Sequence, residues 1–210
     1  MCIVEVDFFC IIKIGLKVLT RFNQLTIDQL KPQAKELADQ IIKISRSGIG
    51  GPYNAMLRSP VMAKCLKQLL DYLRFSSSLP TGLNEWAILI QARLWTAQLM
   101  WRAHLPLALK HGISQSLTQS LSLGNRPEDM SIEESVIYDF CMALSVDHVV
   151  PDDIFNQAID VLGEQQVVDL MAVSGTYVTV AMLLNVSQAP FPEGEQLPLK
   201  LLEKRIDHVY

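Results

Sequence analysis

The stretch from Asn84 to Gly112 is the most informative of the sequence, because its few polar side chains lie among apolar ones. Glu85, Gln98 and His104 stand there between leucine, alanine, methionine and tryptophan. An imidazole held on an apolar helical face and partly removed from water suits proton transfer near neutral pH. The alternative is a core histidine that bonds a backbone carbonyl, since buried histidines also occur for structural reasons.

The separation of Glu85 and His104 depends on whether this stretch is one helix or two. On one unbroken helix they would lie about 28 Å apart, at roughly 1.5 Å per residue. Thr96 is a residue type that favours a helix N-cap, so the stretch can instead break between Leu94 and Thr96 into two antiparallel helices. In such a hairpin, residues whose numbers add up to about 189 face each other, and 85 and 104 are such a pair. A hairpin of two helices would place a carboxylate beside an imidazole, the arrangement of a general acid–base pair, and one continuous helix would remove this pair within a subunit.

Helix signals recur along the rest of the chain and predict an all-α fold. Capping boxes are recognisable at Thr26–Gln29 and Ser131–Glu134, and prolines or glycines mark several ends. The predicted helices span residues 26–45, 59–75, 82–111 with the break, 114–123, 131–146, 152–162 and 164–185. We expect the last of these to be the most buried, because it is strongly apolar. The prediction is one compact helical domain of about seven helices.

Composition excludes several classes of function. Half of the 210 residues are apolar and 19% are charged, which suits a packed core. With 18 basic and 22 acidic residues and no basic cluster, nucleic-acid binding is not expected. The four cysteines include no CxxC pair and the four histidines no metal-ligand spacing, so we expect reduced thiols, no metal and no cofactor.

The first twenty residues are apolar but fit neither a secretion signal nor a membrane helix. Glu5 and Asp7 precede the apolar run, and Lys13 and Lys17 interrupt it. We therefore expect a cytoplasmic protein without membrane contact. The predicted organisation is an N-terminal extension over residues 1–24, a helical domain over residues 25–194 and a C-terminal tail over residues 195–210.

Four segments resemble one known family, the carboxymuconolactone decarboxylases of the alkylhydroperoxidase D-like superfamily. The resemblance covers roughly residues 25–194. The segments are GGPYNAMLRSP (50–60), LNEWAILIQARLWTAQLMWRAH (83–104), LPLALKHG (105–112) and GTYVTVAMLLN (175–185). The resemblance implies helical subunits that assemble into trimers or hexamers, with the site near subunit contacts.

The superfamily's peroxidase branch has a glutamate, eleven residues, Cys, two residues, Cys, three residues and His. On this chain the glutamate falls on Glu85 and the histidine on His104, while the cysteine positions hold Ala97 and Met100. A peroxide-reducing dithiol needs two thiols that can form a disulfide. The outer acid and base are present without the redox pair, so we do not expect dithiol peroxidase activity.

The decarboxylase branch resembles the chain more closely. It has an aromatic-rich stretch that ends in Trp-x-x-His, matched by Trp101 and His104, although the acid it often carries before that tryptophan is Met100 here. The family reaction removes a carboxylate from a carboxylated muconolactone without a metal or organic cofactor. The resemblance implies that His104 donates the proton or polarises the carbonyl, and that Glu85 sets its charge and orientation.

The resemblance also suggests residues that bind the substrate, a small carboxylated lactone or a related acid. Trp95 and Trp101 would form apolar walls, Gln98 would bond a carbonyl, and Arg93 or Arg58 would hold a carboxylate. Tyr53, Asn54 and Tyr177 would line the site.

Each of these residues also has a structural interpretation. The tryptophans can be core residues, Arg93 a surface ion-pair partner and Arg58 a loop anchor. Asn54 suits a turn, and Tyr177 needs a partner for its hydroxyl in any case.

Three functions stay open on the sequence. The first is a cofactor-independent lyase or related proton-transfer enzyme. The second is a thiol peroxidase in which Cys65 and Cys141 would have to approach within disulfide range. The third is an oligomer that binds a small molecule without catalysis.

Overall fold

The computed structural model describes residues 20–45 and 47–202. The regular secondary structure in that part of the chain is entirely helical. Eight α-helices are present there, with a 3₁₀ turn at Ile27–Gln29, a π-helical turn at Ala143–Asp147 and no strand. The helices are α1 Pro32–Ile44, α2 Pro52–Met56, α3 Pro60–Phe75, α4 Thr81–Leu94, α5 Gln98–Lys110, α6 Gln115–Ser122, α7 Ile132–Met142 and α8 Asp152–Ser187. The predicted all-α class is confirmed. Residues 1–19 and 203–210, most of the predicted extension and part of the predicted tail, lie outside the described residues.

The predicted first helix is two elements. The Thr26 amide donates to the side chain of Gln29 at 3.0 Å, but the turn that follows ends at Gln29. Pro32 then opens α1, and Lys31 before it is extended with ψ 154°. The residue before a proline is pushed out of the helical region, which explains the interruption.

The predicted break between Glu85 and His104 is confirmed, but its chemistry differs from the expectation. The N-cap of α5 is Ala97, and Thr96 has a left-handed φ of 46°. The Ala97 amide donates to the Ala92 carbonyl at 2.8 Å and the Thr96 amide to the Arg93 carbonyl at 3.0 Å. These two bonds are those of a Schellman motif, so Thr96 ends α4 instead of opening α5. We call α4, this turn and α5 the helical hairpin.

The most buried helix is α4 and not the 164–185 segment. All ten residues from 84 to 93 are buried, because α4 packs against α5, α6, α7 and α8. In α8 only one face meets the core, and Val168 and Met182 on the other face are 57% and 44% exposed. Apolar composition therefore did not identify the central helix.

The last helix changes direction where the sequence predicts a break. Gly163 has φ 77° and ψ 162°, which divides α8 into two helical parts. By length and composition α8 could cross a membrane, but 56% of its apolar window is buried inside the fold. That burial is typical of a core helix of a globular domain.

Candidate active site

Glu85 and His104 meet across the helical hairpin. The Nδ1 atom of His104 lies 2.6 Å from Oε2 of Glu85, and only 13% and 6% of the two side chains are exposed. The predicted pairing of carboxylate and imidazole is thus confirmed. An ionised carboxylate can only accept, so the hydrogen bond places a proton on Nδ1 and directs Nε2 away from Glu85.

A close approach of the two helices sets this pairing. At the open end of the hairpin a Cβ atom on Gly82 would lie 2.4 Å from the carbonyl oxygen of His111. Only glycine permits that contact, since no real Cβ atom approaches a backbone oxygen so closely. Gly82 is three residues before Glu85, so the contact fixes the turn of α4 that carries the carboxylate.

Tyr177 of α8 forms a third wall beside the pair. Its ring centroid lies 5.1 Å from that of His104 with the rings at 90°, and the residue is 2% exposed. Burial raises the pKa of Tyr177 well above its usual range, and the charge of Glu85 raises it further. The phenol therefore stays protonated at neutral pH, and among the described residues no hydrogen bond engages it.

A buried carboxylate on α8 holds the loop that leads into α4. Asp169 accepts hydrogen bonds from the Ser78 amide and hydroxyl, both at 2.7 Å, and from the hydroxyls of Tyr72 and Ser77. Burial acts to raise the pKa of Asp169, but these hydrogen bonds outweigh it and leave the pKa below its ordinary value. This cluster, which the sequence analysis did not identify, positions the start of α4 and so Glu85.

The structure does not bring Gln98 or Arg93 to the pair. Both ends of the Gln98 amide bond the backbone of Leu199, at 2.7 and 3.0 Å. Arg93 is 2% exposed and donates to the carbonyls of Ser122 and Lys200. The C-terminal segment uses hydrogen-bonding groups of both residues, so the geometry does not support their predicted roles in substrate binding. Burial also lowers the pKa of Arg93 from its usual value.

The two predicted tryptophan walls have different positions. Trp95 caps α4 at the turn of the hairpin and is 36% exposed, ten residues from Glu85, or about 15 Å along a helix. It is therefore not a wall of this site. Trp101 lies one turn before His104 and is 2% exposed. Its ring packs in the hydrophobic core, as in the structural interpretation.

Among the residues around α2, only Tyr53 stays near the pair. Asn54 accepts from the Leu25 amide at 2.9 Å, and Arg58 donates to the carbonyls of Asn23 and Asn54. Asn54 and Arg58 thus anchor the segment before α1, as the structural interpretation proposed for Arg58, whereas Asn54 lies within α2 and not in the expected turn. Tyr53 is half-buried and close enough to Tyr177 for its charge to influence the pKa of that phenol.

Arg74 is a charged residue near the site that the sequence analysis did not select. It lies in the last turn of α3, and its charge acts on Tyr177 by lowering the pKa that burial raises. In the sequence, Arg74 stands out only because it precedes the Ser76–Ser78 loop. That position does not reveal how far its side chain lies from His104.

Two open cavities elsewhere on the described surface do not include Glu85 or His104. A groove of about 540 Å³ lies between α1 and α3, and an apolar cleft of about 220 Å³ lies between Phe22, Ala55 and α8. Within residues 20–45 and 47–202 no three His, Cys, Asp or Glu side chains form a metal-binding group.

Comparison with known proteins identifies the fold. No protein-family model matches the sequence, and no curated protein matches it. The structure is similar to a crystal structure from Ralstonia eutropha, described as an alkylhydroperoxidase AhpD core and an uncharacterized peroxidase-related protein. The TM-score is 0.69 at 10% identity, over 84% of this chain and 94% of the other. The architecture is therefore that of an alkylhydroperoxidase AhpD core, as the resemblance implied for the fold.

Proposed function

We propose that this protein is a cofactor-independent lyase or related proton-transfer enzyme of the carboxymuconolactone decarboxylase type. The substrate is a small carboxylated lactone or a related acid. The observation that carries the proposal is the 2.6 Å contact between His104 and Glu85, which is largely shielded from water in the helical hairpin. An imidazole oriented by a carboxylate, with its second nitrogen directed elsewhere, is suited to moving one proton at a defined place.

The reaction needs a proton and no other reagent from the protein. The bond between the ring carbon and the departing carboxylate breaks, carbon dioxide leaves, and the electron pair enters a dienolate that the lactone carbonyl stabilises. Protonated His104 delivers the proton from Nε2 to carbon and becomes the neutral imidazole. Glu85 is a positioning residue, since it holds Nδ1–H and stabilises the cationic ring before transfer.

Tyr177 is the neutral hydrogen-bond donor of this site. It packs edge-on against His104, and its raised pKa keeps the phenol protonated as a negatively charged dienolate forms. A donor of that kind stabilises an oxyanion more effectively in a low-dielectric site than in water.

A dithiol peroxidase is the competing function, since the structural relative is described as peroxidase-related. Ala97 and Met100 occupy the cysteine positions of that branch and are 0% and 2% exposed. Cys65 and Cys141 are free thiols, and burial raises the pKa of Cys141 to about 11. A buried thiol is a poor nucleophile because the thiolate is the reactive form. Robust thiol-dependent turnover of a hydroperoxide would overturn the preference for a lyase.

Assembly into a trimer or hexamer and a cytoplasmic location belong to the proposal as well. The outer face of α8 supports assembly, because apolar side chains there are exposed and residues 170–187 contain no charge. Light scattering after size exclusion tests this part, and a strictly monomeric protein contradicts it. A small-molecule-binding oligomer without catalysis would keep the assembly and lose nothing when His104 is replaced.

The direct test of function is turnover of 4-carboxymuconolactone by the wild type and by His104→Gln. General acid–base catalysis contributes about 10²–10⁴-fold, so His104→Gln should lose that factor in kcat. The matched control is His111→Gln, an exposed histidine just after α5, which should stay within twofold of wild type. Full activity of His104→Gln would contradict the proposal.

A further inference from the structure

The last turn of α3 is attached directly to the elements that carry the catalytic pair. The Asn84 side chain donates to the Leu73 carbonyl at 3.2 Å. Arg74 directly follows Leu73, and Glu85 directly follows Asn84, so both are adjacent in sequence to this hydrogen bond. In the same turn the Tyr72 hydroxyl bonds Asp169 of α8 at 3.0 Å. Arg74 thus lies where α3, the start of α4 and α8 meet.

Arg74 differs from the other arginines of the described chain in that none of its donors forms a hydrogen bond with the described residues. Six arginines lie within residues 20–45 and 47–202, and Arg74 alone among them makes no hydrogen bond or ion pair there. The others donate to carbonyls, to a carboxylate or to both: Arg21, Arg58, Arg93, Arg102 and Arg126. Arg74 is half-buried, and its guanidinium lies 5.0 Å from the centre of the Phe75 ring. A partly desolvated guanidinium with a free planar fork is the group that proteins use to bind carboxylates.

The charge of Arg74 reaches the interior of the site. It lowers the pKa of Tyr177, against the effect of burial, and Tyr177 packs on the His104 ring. Glu85 also acts on the pKa of Tyr177 through its charge, and its carboxylate is already paired with His104. Arg74 is therefore the positive side chain acting on Tyr177 that no described carboxylate neutralises.

We propose that Arg74 is the specificity-determining residue that binds a substrate carboxylate beside His104, the role that the sequence analysis assigned to Arg93 or Arg58. This inference rests on the proposed function and adds a substrate class to it. Arg74 binds a carboxylate that stays on the substrate, because tight binding of the departing carboxylate would stabilise the ground state and slow the reaction. The substrate is thus an acid with a second anionic group besides the one that leaves.

Equilibrium binding of a matched pair of small molecules tests this inference without turnover. Benzoate and benzamide have nearly the same shape, and only benzoate is charged. We expect benzoate to shift the ring resonances of ¹⁵N-labelled His104, assigned with His104→Gln, at tenfold or more lower concentration than benzamide. Arg74→Gln should lose that preference, and Arg74→Lys should keep part of it, because it retains the charge without the fork. The matched control is Arg126→Gln, which removes a surface arginine paired with Asp139 and should bind benzoate as wild type does.

The outcomes separate this inference from the proposed function. Wild-type protein without a preference for benzoate, or an Arg74→Gln variant that keeps it, overturns the role of Arg74 whatever the lactone assay shows. In turnover, Arg74→Gln should raise KM at least tenfold with little change in kcat, while His104→Gln lowers kcat. A purely structural arginine, stacked on Phe75 at the end of α3, would move the melting temperature and leave the benzoate preference intact.

Discussion

The two ends of the helical hairpin show why residue type alone does not identify a site. At the turn, Arg93 and Gln98 are polar groups in apolar surroundings, and both form hydrogen bonds with the backbone of residues 199 and 200, which leaves only Nε of Arg93 without a partner. At the open end, His104 has one nitrogen on Glu85 and the other directed away. Tyr177 and Arg74 beside it make no hydrogen bond among the described residues. Whole side chains without a hydrogen-bond partner therefore distinguish the candidate site from the structural end, where a single atom of Arg93 has none.

The largest effect on stability should come from adding a side chain at Gly82, where α4 closely approaches the end of α5. Gly82→Ala would place a Cβ atom 2.4 Å from the carbonyl oxygen of His111, and this oxygen belongs to the backbone directly after α5, which cannot move as easily as a side chain. We expect a loss of about 1–3 kcal/mol in the free energy of unfolding, measured by urea denaturation. Because α4 must move away from α5, turnover of the lactone should fall about 100-fold.

Gly175→Ala is the matched control for that substitution. A Cβ atom there meets nothing within 4 Å, and the residue lies inside α8. Alanine at this position should be neutral or stabilising by about 0.5–1 kcal/mol. Equal destabilisation by the two variants would mean that the open end is not tightly packed.

The loop that supports the open end should give a pH-dependent effect. The pKa of Asp169 is lower in the folded protein than its ordinary value, so its carboxylate contributes stability above that value. This contribution is lost as the pH falls through the lower folded pKa. Asp169→Asn should cost about 1–2 kcal/mol at pH 7, and the difference from wild type should shrink as the pH falls below about 4.

Urea denaturation of both proteins at several pH values measures this difference. Asp160→Asn, at an exposed aspartate on the same helix, serves as the control and should show neither the cost nor its pH dependence. A difference between Asp169→Asn and wild type that stays constant down to pH 2 would contradict the assigned role.

The smallest effect should come from the turn of the hairpin and have the opposite sign. Thr96 is a β-branched residue with φ 46°, a conformation that favours glycine. Thr96→Gly should raise the free energy of unfolding by about 0.5 kcal/mol, because it relieves the strained φ. This net value already includes two costs, which are the loss of the weak 3.4 Å hydrogen bond from Arg93 and the higher entropy of the unfolded chain. Thr81→Gly, in the first turn of α4, should destabilise by about 0.5–1 kcal/mol. If both variants destabilise equally, Thr96 is not strained.

The sequence predicted the elements whose signals are local. The helix starts at Pro60 and Ser131 and the break at Gly163 follow from capping and from backbone freedom, and they need no knowledge of the rest of the fold. The pairing of Glu85 with His104 was also predictable, because one break in a helix fixes which positions face each other.

What the sequence did not reveal depends on contacts between distant segments. Gln98 and Arg93 are occupied by residues about one hundred positions later, and no spacing rule connects them. Arg74 is thirty residues from His104, and the hydrogen bond from Asn84 to Leu73 joins its helix to α4, the helix that carries Glu85. The central position of α4 likewise comes from the four helices around it and not from its composition.

The most direct test of the central claim is a double-mutant cycle on the catalytic pair. The value of kcat/KM for 4-carboxymuconolactone is measured for wild type, Glu85→Gln, His104→Gln and the double variant. Residues that act as one unit are strongly non-additive, so each single variant should lose 10²–10⁴-fold and the double variant about as much as His104→Gln alone. Losses that multiply, or a His104→Gln variant with wild-type activity, would contradict the claim that the imidazole and its carboxylate transfer the proton together.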